Sequence, residues 1–413
     1  MLREVLKSAG LNAKICADLI GVDHTLFHQW VVGQRPIPPY IVPELSSVLG
    51  VPEQAILTSS SGTGSSENAP AIWFKFRSGD RLTEADREIV VLIRRVAYFM
   101  EELEVLTETR YVTWKALFET ARKEVNRQAS PKEQGKIAAQ VIRADRQFGF
   151  PFRTKQGLKG AGDIFRDNLR SIGVRIIETP VPTSQLEGCS FYVGAPGSER
   201  PCLFANSYKQ TWFRRNLVLM HELAHAIFDI DGSAASLDFS GDADKRELEE
   251  VRAQAFALEA LAPREVLNHI ARTNGLKWNA LTNQDIAILV AASQVEQGTV
   301  IKAALEAGFI DANLAEKYAT AETHEFLKEL TERALTTQEF IKARVGENQI
   351  ISAEFRTTTI PSRALRLPLP YVTKVVNLAS QNEISIGKAA QMLMVEKDTF
   401  KERFGSAVQE AIA

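Results

Sequence analysis

The sequence RRNLVLMHELAHAIFDIDG, residues 214–232, holds two histidines four positions apart, His221 and His225, with Glu222 between them. On an α-helix, residues four apart share a face, so both imidazoles can meet one divalent ion. Glu222 lies beside them, where a carboxylate can act as general base. Apolar residues flank the motif and Gly232 follows it, so we predict a buried helix of ordinary length. The pattern is typical of zinc peptidases.

A third metal ligand is expected downstream, because catalytic zinc usually takes three protein ligands. Residues 242–263 read DADKRELEEVRAQAFALEALAP and form one predicted helix. We choose Glu250, because small residues on its face would let this helix approach the histidine helix closely. Glu247, one turn earlier, is the alternative. We expect Zn²⁺, and Mn²⁺ is a second candidate because two imidazoles and a carboxylate accept several divalent ions.

Three β-favouring runs precede the histidine helix: VRIIET at 174–179, CSFYVG at 189–194 and CLFAN at 202–206. Helical periodicity dominates 82–127 and most of the chain after residue 211. We therefore predict an α+β fold that is predominantly helical. It comprises a zincin-like metallopeptidase domain with a small β-sheet, an N-terminal helix-turn-helix domain and a helical C-terminal region.

Composition narrows the class of protein. A chain of 413 residues is expected to form two to four domains. A net charge of -2 predicts no chain-wide attraction to nucleic acid or anionic membrane. Three cysteines without a close pair predict no disulfide framework. We see neither a signal peptide nor a long apolar run, so we expect a cytoplasmic protein without membrane contact.

Residues 205–228, ANSYKQTWFRRNLVLMHELAHAIF, followed by EEVRAQAFALEALAP at 249–263, resemble the ImmA/IrrE family of bacterial metallopeptidases. In that family an Asn at a strand end and an Arg-containing stretch precede the histidine helix. The matching positions are Asn206 and Arg214, which we expect at the substrate cleft. The resemblance also selects Glu250 as the third ligand. It implies a regulatory protease that cleaves a transcriptional repressor in response to DNA damage or another stress.

Residues 1–57 resemble the phage-repressor-like (Xre-type) helix-turn-helix, through CADLIGVDHTLFHQWVVGQRPIP at 16–38. In such a fold, four side chains of the second helix would face the major groove of DNA: His24, Thr25, His28 and Gln29. The segment carries four basic and five acidic residues, whereas phosphate neutralisation supplies most non-specific DNA affinity. DNA binding therefore competes with a second interpretation, in which the unit forms a homodimer or docks the repressor.

Ser and Gly dominate residues 58–70, which we predict to be a flexible linker. We then expect the metallopeptidase domain with a helical lead-in at 71–270, a helix-turn-helix-like region at 271–320 and a helical C-terminal region, a candidate sensor, at 321–413. Two later stretches, 285–311 and 384–404, read as helix, turn, helix. Helical pairs that pack against the peptidase are the favoured interpretation of both.

Cys189 lies on a predicted strand next to the metal site, and a thiolate is a good zinc ligand. One interpretation is an inhibitory thiol at the open coordination position, and the other is a buried core cysteine.

Two functions of the whole protein compete. The first is an endopeptidase that acts on a helix-turn-helix repressor, and the second is a DNA-binding regulator whose peptidase-like domain senses metal or a partner. Glu222 favours the enzyme, because a structural metal site needs no base.

Overall fold

The computed structural model describes residues 2–8, 13–20, 22–49, 56, 72–76, 84–107, 114–126, 128–144, 152–154, 157–179, 181, 186–194, 199–208, 210–230, 243–331, 367 and 369–410. The predicted linker at 58–70 lies outside these residues. Within the described part of the chain, every helix is too short or too polar to span a bilayer.

The N-terminal unit contains four helices: α1 (Leu2–Ser8), α2 (Ala13–Ile20), α3 (His24–Val31) and α4 (Val42–Leu49). Asp23 caps α3 as predicted, because its carboxylate accepts hydrogen bonds from the Thr25 and Leu26 amides. Apolar side chains from all four helices form a core of their own around Phe27 and Leu45. The helix-turn-helix of Xre type stays a prediction for this four-helix unit.

Four of the described strands form one sheet: β1 (Ile72–Phe76), β4 (Arg175–Thr179), β5 (Leu186–Val193) and β6 (Arg200–Asn206). Their order is β1-β5-β6-β4, with β4 parallel to β6 and the other neighbours antiparallel. Three of these strands match the predicted runs. The sequence analysis missed β1, and it missed a short hairpin made of β2 (Phe152–Thr154) and β3 (Gly157–Lys159).

Helices make up most of the rest: α5 (Glu84–Leu106), α6 (Trp114–Glu124), α7 (Pro131–Ala144), α8 (Ala161–Ser171), α9 (Trp212–Phe228), α10 (Ala243–Leu261), α11 (Arg264–Asn274), α12 (Asn283–Ser293), α13 (Gln297–Glu306), α14 (Ala312–Ala319), α15 (His324–Thr331), α16 (Leu369–Ser380), α17 (Ile386–Met392) and α18 (Lys397–Glu410). Helix α9, which carries the histidine motif, packs on β5 and β6. Helix α10 packs against α9 on one side and α7 on the other.

Each face of the sheet contributes to a different core. Tyr192 and Leu203 join a large core that also contains α9, α10, α12 and α13. Phe191 and Phe204 join a second core, which contains α5 and the C-terminal helices α16 to α18. Strand β5 is buried along its whole length because both of its faces are covered.

The two later helix pairs both pack against the sheet-containing region. The pair at 285–311 forms α12 and α13, whose apolar side chains belong to the large core. The pair at 384–404 forms α17 and most of α18, and its apolar side chains belong to the second core. These placements agree with the favoured interpretation as packing helices, and the large core crosses the predicted boundary at residue 270.

Candidate metal centre

Helix α9 places the histidine motif in the interior. The Thr211 hydroxyl caps its first turn by accepting from the Arg214 amide at 3.1 Å, and Asp229 ends the helix with its amide bonded to the His225 carbonyl at 2.8 Å. Apolar residues on several faces pack into the large core. As predicted, the helix is buried and of ordinary length, and His221, Glu222 and His225 are all at most 1% exposed.

The structure brings His221, His225 and Glu250 together. The two histidine Nε2 atoms are 3.1 Å apart. One Glu250 oxygen lies 3.1 Å from His221 Nε2, and the other lies 3.5 Å from His225 Nε2. Ligand atoms at about 2.0–2.1 Å from a tetrahedral zinc are about 3.3 Å from one another. The donor types and their spacing therefore fit a zinc ion with an open fourth position.

Electrostatics couples the histidines to Glu250. Burial alone would raise the pKa of Glu250, but its hydrogen bonds to His221 and His225 outweigh burial and hold this pKa well below its usual range. Burial alone would lower the pKa of His225, but hydrogen bonds to Asp229 and Glu250 raise it to about 9. These shifts describe the metal-free centre, in which a protonated His225 pairs with the ionised Glu250; a divalent ion at the same place would replace that proton.

Asp229 and Arg252 support the centre, and the sequence analysis did not identify either. Asp229 lies one helical turn after His225 and accepts a hydrogen bond from His225 Nδ1 at 2.8 Å. The guanidinium of Arg252, on α10, pairs with the same carboxylate and stacks over the Phe228 ring. Because Asp229 keeps a proton on Nδ1, Nε2 is the nitrogen that would lose its proton and present a lone pair to an ion. The i, i+4 spacing from His225 to Asp229 was the available sequence clue.

Glu222 lies against the sheet. Its side chain is fully buried, and its Oε2 atom accepts a hydrogen bond from the Ser190 hydroxyl of β5 at 3.0 Å. The position next to His221 on α9 agrees with the location expected for a general base. Glu247, the alternative third ligand, lies on α10, and its side chain is outside the described part of the structure.

The inhibitory thiol predicted at Cys189 is not placed for that role. Cys189 is fully buried in the second core, whereas its neighbour Ser190 contacts Glu222 on the opposite face of β5. Burial, followed by the nearby Glu222 charge, raises the thiol pKa well above its ordinary value, so the thiolate is disfavoured. Successive side chains of a strand point to opposite faces, which separates Cys189 from the histidines.

Asn206 has a structural role in place of the predicted position at the substrate cleft. It is fully buried, and its amide group donates to the Val181 and Leu186 carbonyls and accepts from the Val181 and Tyr208 amides. These bonds join the chain segments at the ends of β4, β5 and β6. The side chain therefore ties loops together.

Arg214 lies beside a cleft. Its guanidinium contacts the Glu187 carboxylate at 2.8 Å and the Glu296 carboxylate at 3.7 Å. Glu296 and Phe213 line a cavity of about 700 Å³ that α12, α13 and α15 also border. Burial, opposed by Arg214, raises the pKa of Glu296. The described residues that line this cavity do not include His221, Glu222, His225 or Glu250, so a role of Arg214 at a substrate cleft stays a prediction.

The four candidate DNA-contacting residues lie on α3 of the N-terminal unit. His24, Thr25 and His28 are exposed, and Gln29 is half-buried. The structure does not bring them into the metal centre. Their exposure suits either of the two predicted interfaces, with DNA or with a protein.

Comparison with protein families links this centre to a known type of domain. Residues 169–277 match the family model of the IrrE N-terminal-like domain, and the matched range contains His221, Glu222, His225 and Glu250. The match supports the ImmA/IrrE family and a metallopeptidase-type domain. Neither the curated proteins nor the solved structures yield a match to the chain.

Proposed function

We propose that the chain is a zinc-dependent endopeptidase of regulatory type that cleaves a helix-turn-helix transcriptional repressor in response to DNA damage or another stress. The observation that carries this proposal is the meeting of His221, His225 and Glu250, whose ligand atoms all lie within 4.8 Å of one another. The buried carboxylate of Glu222 beside this cluster supplies the group that a purely structural zinc site would not need.

His221, His225 and Glu250 would hold zinc, or Mn²⁺ in its place. Bound zinc supplies Lewis acidity, which lowers the pKa of water and polarises a peptide carbonyl. Glu222 takes the proton from the attacking water and passes it to the leaving amine. Asp229 keeps the His225 ring oriented throughout, because the carboxylate is itself held by Arg252.

The burial of the centre supports a selective enzyme. The two histidines and Glu222 are at most 1% exposed, whereas the Glu250 side chain is 37% exposed. Substrate would therefore approach from the side of α10 and would need an extended, accessible segment to reach the carbonyl-polarising ion. An exposed linker between the domains of a repressor has these properties. A folded protein without such a segment would be resistant.

The N-terminal unit would serve recognition. Its exposed α3 side chains, His24, Thr25 and His28, would contact DNA, the repressor or a second copy of the chain. Because the unit has no excess of basic residues, weak DNA binding with a small salt dependence is expected. We place the protein in the cytoplasm, where the repressor and its operator are found.

A DNA-binding regulator without hydrolytic activity is the second candidate. The exposed recognition-type helix α3 is the observation that favours it. In this case the metal centre would sense an ion or a partner, and Glu222 would have no catalytic task. The two candidates differ in one measurable property, which is peptide-bond cleavage.

Glu222→Gln tests the proposal, because it keeps the shape of the side chain and removes the base. Wild type and Glu222→Gln should each bind about one zinc ion per chain. Wild type should cleave helix-turn-helix repressors encoded beside it, and peptides from a proteome-derived library, whereas Glu222→Gln should lose at least about 100-fold of the rate. Equal cleavage by the two proteins would reject Glu222 as base. Absence of cleavage by zinc-loaded wild type would favour the regulator.

A further inference from the structure

Strand β5 and helix α9 meet at three regularly spaced contacts, separated by two equal steps along each element. The α-carbon of Gly188 faces Val218, because a Cβ built there would lie 2.5 Å from Val218 Cγ1. Ser190 then contacts Glu222, and the Tyr192 hydroxyl donates to the Ala226 carbonyl at 2.8 Å. Each step advances two residues on the strand and four residues on the helix.

These steps agree with the geometry of the two elements. Two residues of a strand span about 6.6 Å, and four residues of an α-helix rise about 6 Å. Alternate side chains of β5 therefore stay opposite side chains one turn apart on α9. We call this set of contacts, formed by Gly188, Ser190 and Tyr192, the β5 seat. Of its two hydrogen bonds, only the one from Ser190 ends on a side chain of the histidine motif.

Gly188 permits the close approach that the seat needs. Besides Val218, a Cβ at this position would lie 2.9 Å from the Phe204 carbonyl oxygen and 3.2 Å from Glu222 Cγ. Because one of these neighbours is backbone, a side chain could be accommodated only if the strand or the helix moved. A shift of this kind would take the Ser190 hydroxyl away from Glu222.

We propose that Ser190 is the positioning residue for Glu222: its hydroxyl selects one orientation of the catalytic carboxylate. This inference rests on the proposed function, since it assigns a role in that reaction. A glutamate side chain has three rotatable torsions, and only a held carboxylate stays directed at the substrate water. Both Ser190 and Glu222 are fully buried, and their bond is 3.0 Å long, so water does not compete for the contact.

Loss of a zinc ligand would impair both zinc binding and the chemical step, whereas a change at Ser190 allows these two effects to be told apart. Ser190 contacts the base and belongs to the sheet, whereas the three candidate ligands belong to α9 and α10. Removing its hydroxyl should leave zinc binding intact and slow the chemical step. A merely structural serine would lower the stability of the protein and leave the turnover of the folded fraction unchanged.

Ser190→Ala in the full-length, zinc-loaded protein tests this directly. The probe is the peptide from a proteome-derived library that wild type cleaves fastest. We expect kcat to fall about 10- to 100-fold, the range typical of lost outer-shell partners, with KM within about twofold and zinc content unchanged. Ser190→Thr retains a hydroxyl and suits a strand, so it should recover most of the lost kcat.

Tyr192→Phe is the matched control. It removes a buried hydrogen bond of similar length from the same interface, but that bond ends on the Ala226 carbonyl and not on Glu222. Its unfolding temperature should fall, and kcat of the folded protein should stay within about twofold of wild type. If Ser190→Ala has the kcat of Tyr192→Phe, or if Ser190→Ala loses its zinc, the positioning role is overturned.

Thermal unfolding of the metal-free protein tests the contact between Ser190 and Glu222 without a substrate. Thermal unfolding of Ser190→Ala, Glu222→Leu and the double variant forms a double-mutant cycle. The double variant should lose less unfolding temperature than the two single losses combined, because both single changes break the same contact. Additive losses would overturn the contact itself. Absence of cleavage by wild type would defeat the proposed function and, with it, the positioning role of Ser190, whereas additive losses in the cycle with cleavage by wild type would defeat the positioning role alone.

Discussion

The Oδ2 atom of Asp229 lies 2.8 Å from Nδ1 of His225, and it fixes which nitrogen of the ring carries the proton. Asp229 also pairs with Arg252 on α10, two residues after the proposed ligand Glu250. Helix α10, which would donate the third ligand Glu250, therefore also anchors Asp229, the hydrogen-bond partner of the second ligand His225. This arrangement couples the distance between α9 and α10 to the orientation of His225.

Asp229→Asn should weaken zinc binding about 10- to 100-fold and leave the fold intact. The amide keeps the shape of the carboxylate, but it can donate to the imidazole and so stabilise the wrong tautomer. Competition with a fluorescent zinc chelator would measure the affinity. Asp167→Asn is the control, because Asp167 lies in an exposed i, i+3 pair with Arg170 that contributes little. Equal affinities for the two variants would contradict the role of Asp229.

The local part of the centre was predictable from sequence. Helix periodicity places His221 and His225 on one face whatever the rest of the chain does, and small residues along α10 indicated Glu250 as its partner. Asp229 was missed although it shares that face, because an acid one turn away is ordinary on a helix surface. Only the meeting with Arg252 across two helices distinguishes it.

Strand β5 shows why other details could not be predicted. A strand with one buried face has alternating polarity, which indicates the side that meets the core. Both faces of β5 are buried, so LEGCSFYV carries no such alternation. The sequence therefore did not indicate whether Cys189 or Ser190 faces the histidine helix. Strand β1 was missed for a different reason: its five residues pair with β5, which lies far away along the chain.

Glu250→Gln should reduce zinc affinity by more than the roughly 100-fold upper range for an outer-shell partner, because it removes a charged ligand. The expected result follows from the contacts of both Glu250 oxygens with the histidine Nε2 atoms. Glu247→Gln is the control and also tests the alternative ligand. Zinc content after dialysis would be measured for both. Retained zinc in Glu250→Gln together with lost zinc in Glu247→Gln would reverse the assignment.

The ionised Glu178 carboxylate should make the free energy of unfolding depend on pH in the acid range. Burial alone would raise its pKa, but Arg166 and Arg215 outweigh burial and lower it to about 2, from an ordinary 4.5. Because the folded-state pKa is depressed, this stabilisation is present above about pH 4.5 and is lost as the pH falls towards about 2. Urea unfolding across this window should show a smaller loss of unfolding free energy for Glu178→Gln than for wild type. Parallel curves would contradict the depressed pKa.

Gly135→Ala should weaken both the fold and the centre. A Cβ at Gly135 on α7 would lie 2.2 Å from the Arg252 carbonyl oxygen and 2.9 Å from the Phe256 amide nitrogen, so α10 would have to move. We expect a loss of about 1–3 kcal/mol in unfolding free energy, as in other overpacked sites. Zinc affinity should also fall, because α10 carries Glu250 and Arg252. Gly298→Ala is the control: its Cβ would meet open space in α13, so it should be neutral or stabilising. A Gly135→Ala protein as stable as this control, with wild-type zinc affinity, would show that the contact between α7 and α10 does not set the position of the third ligand.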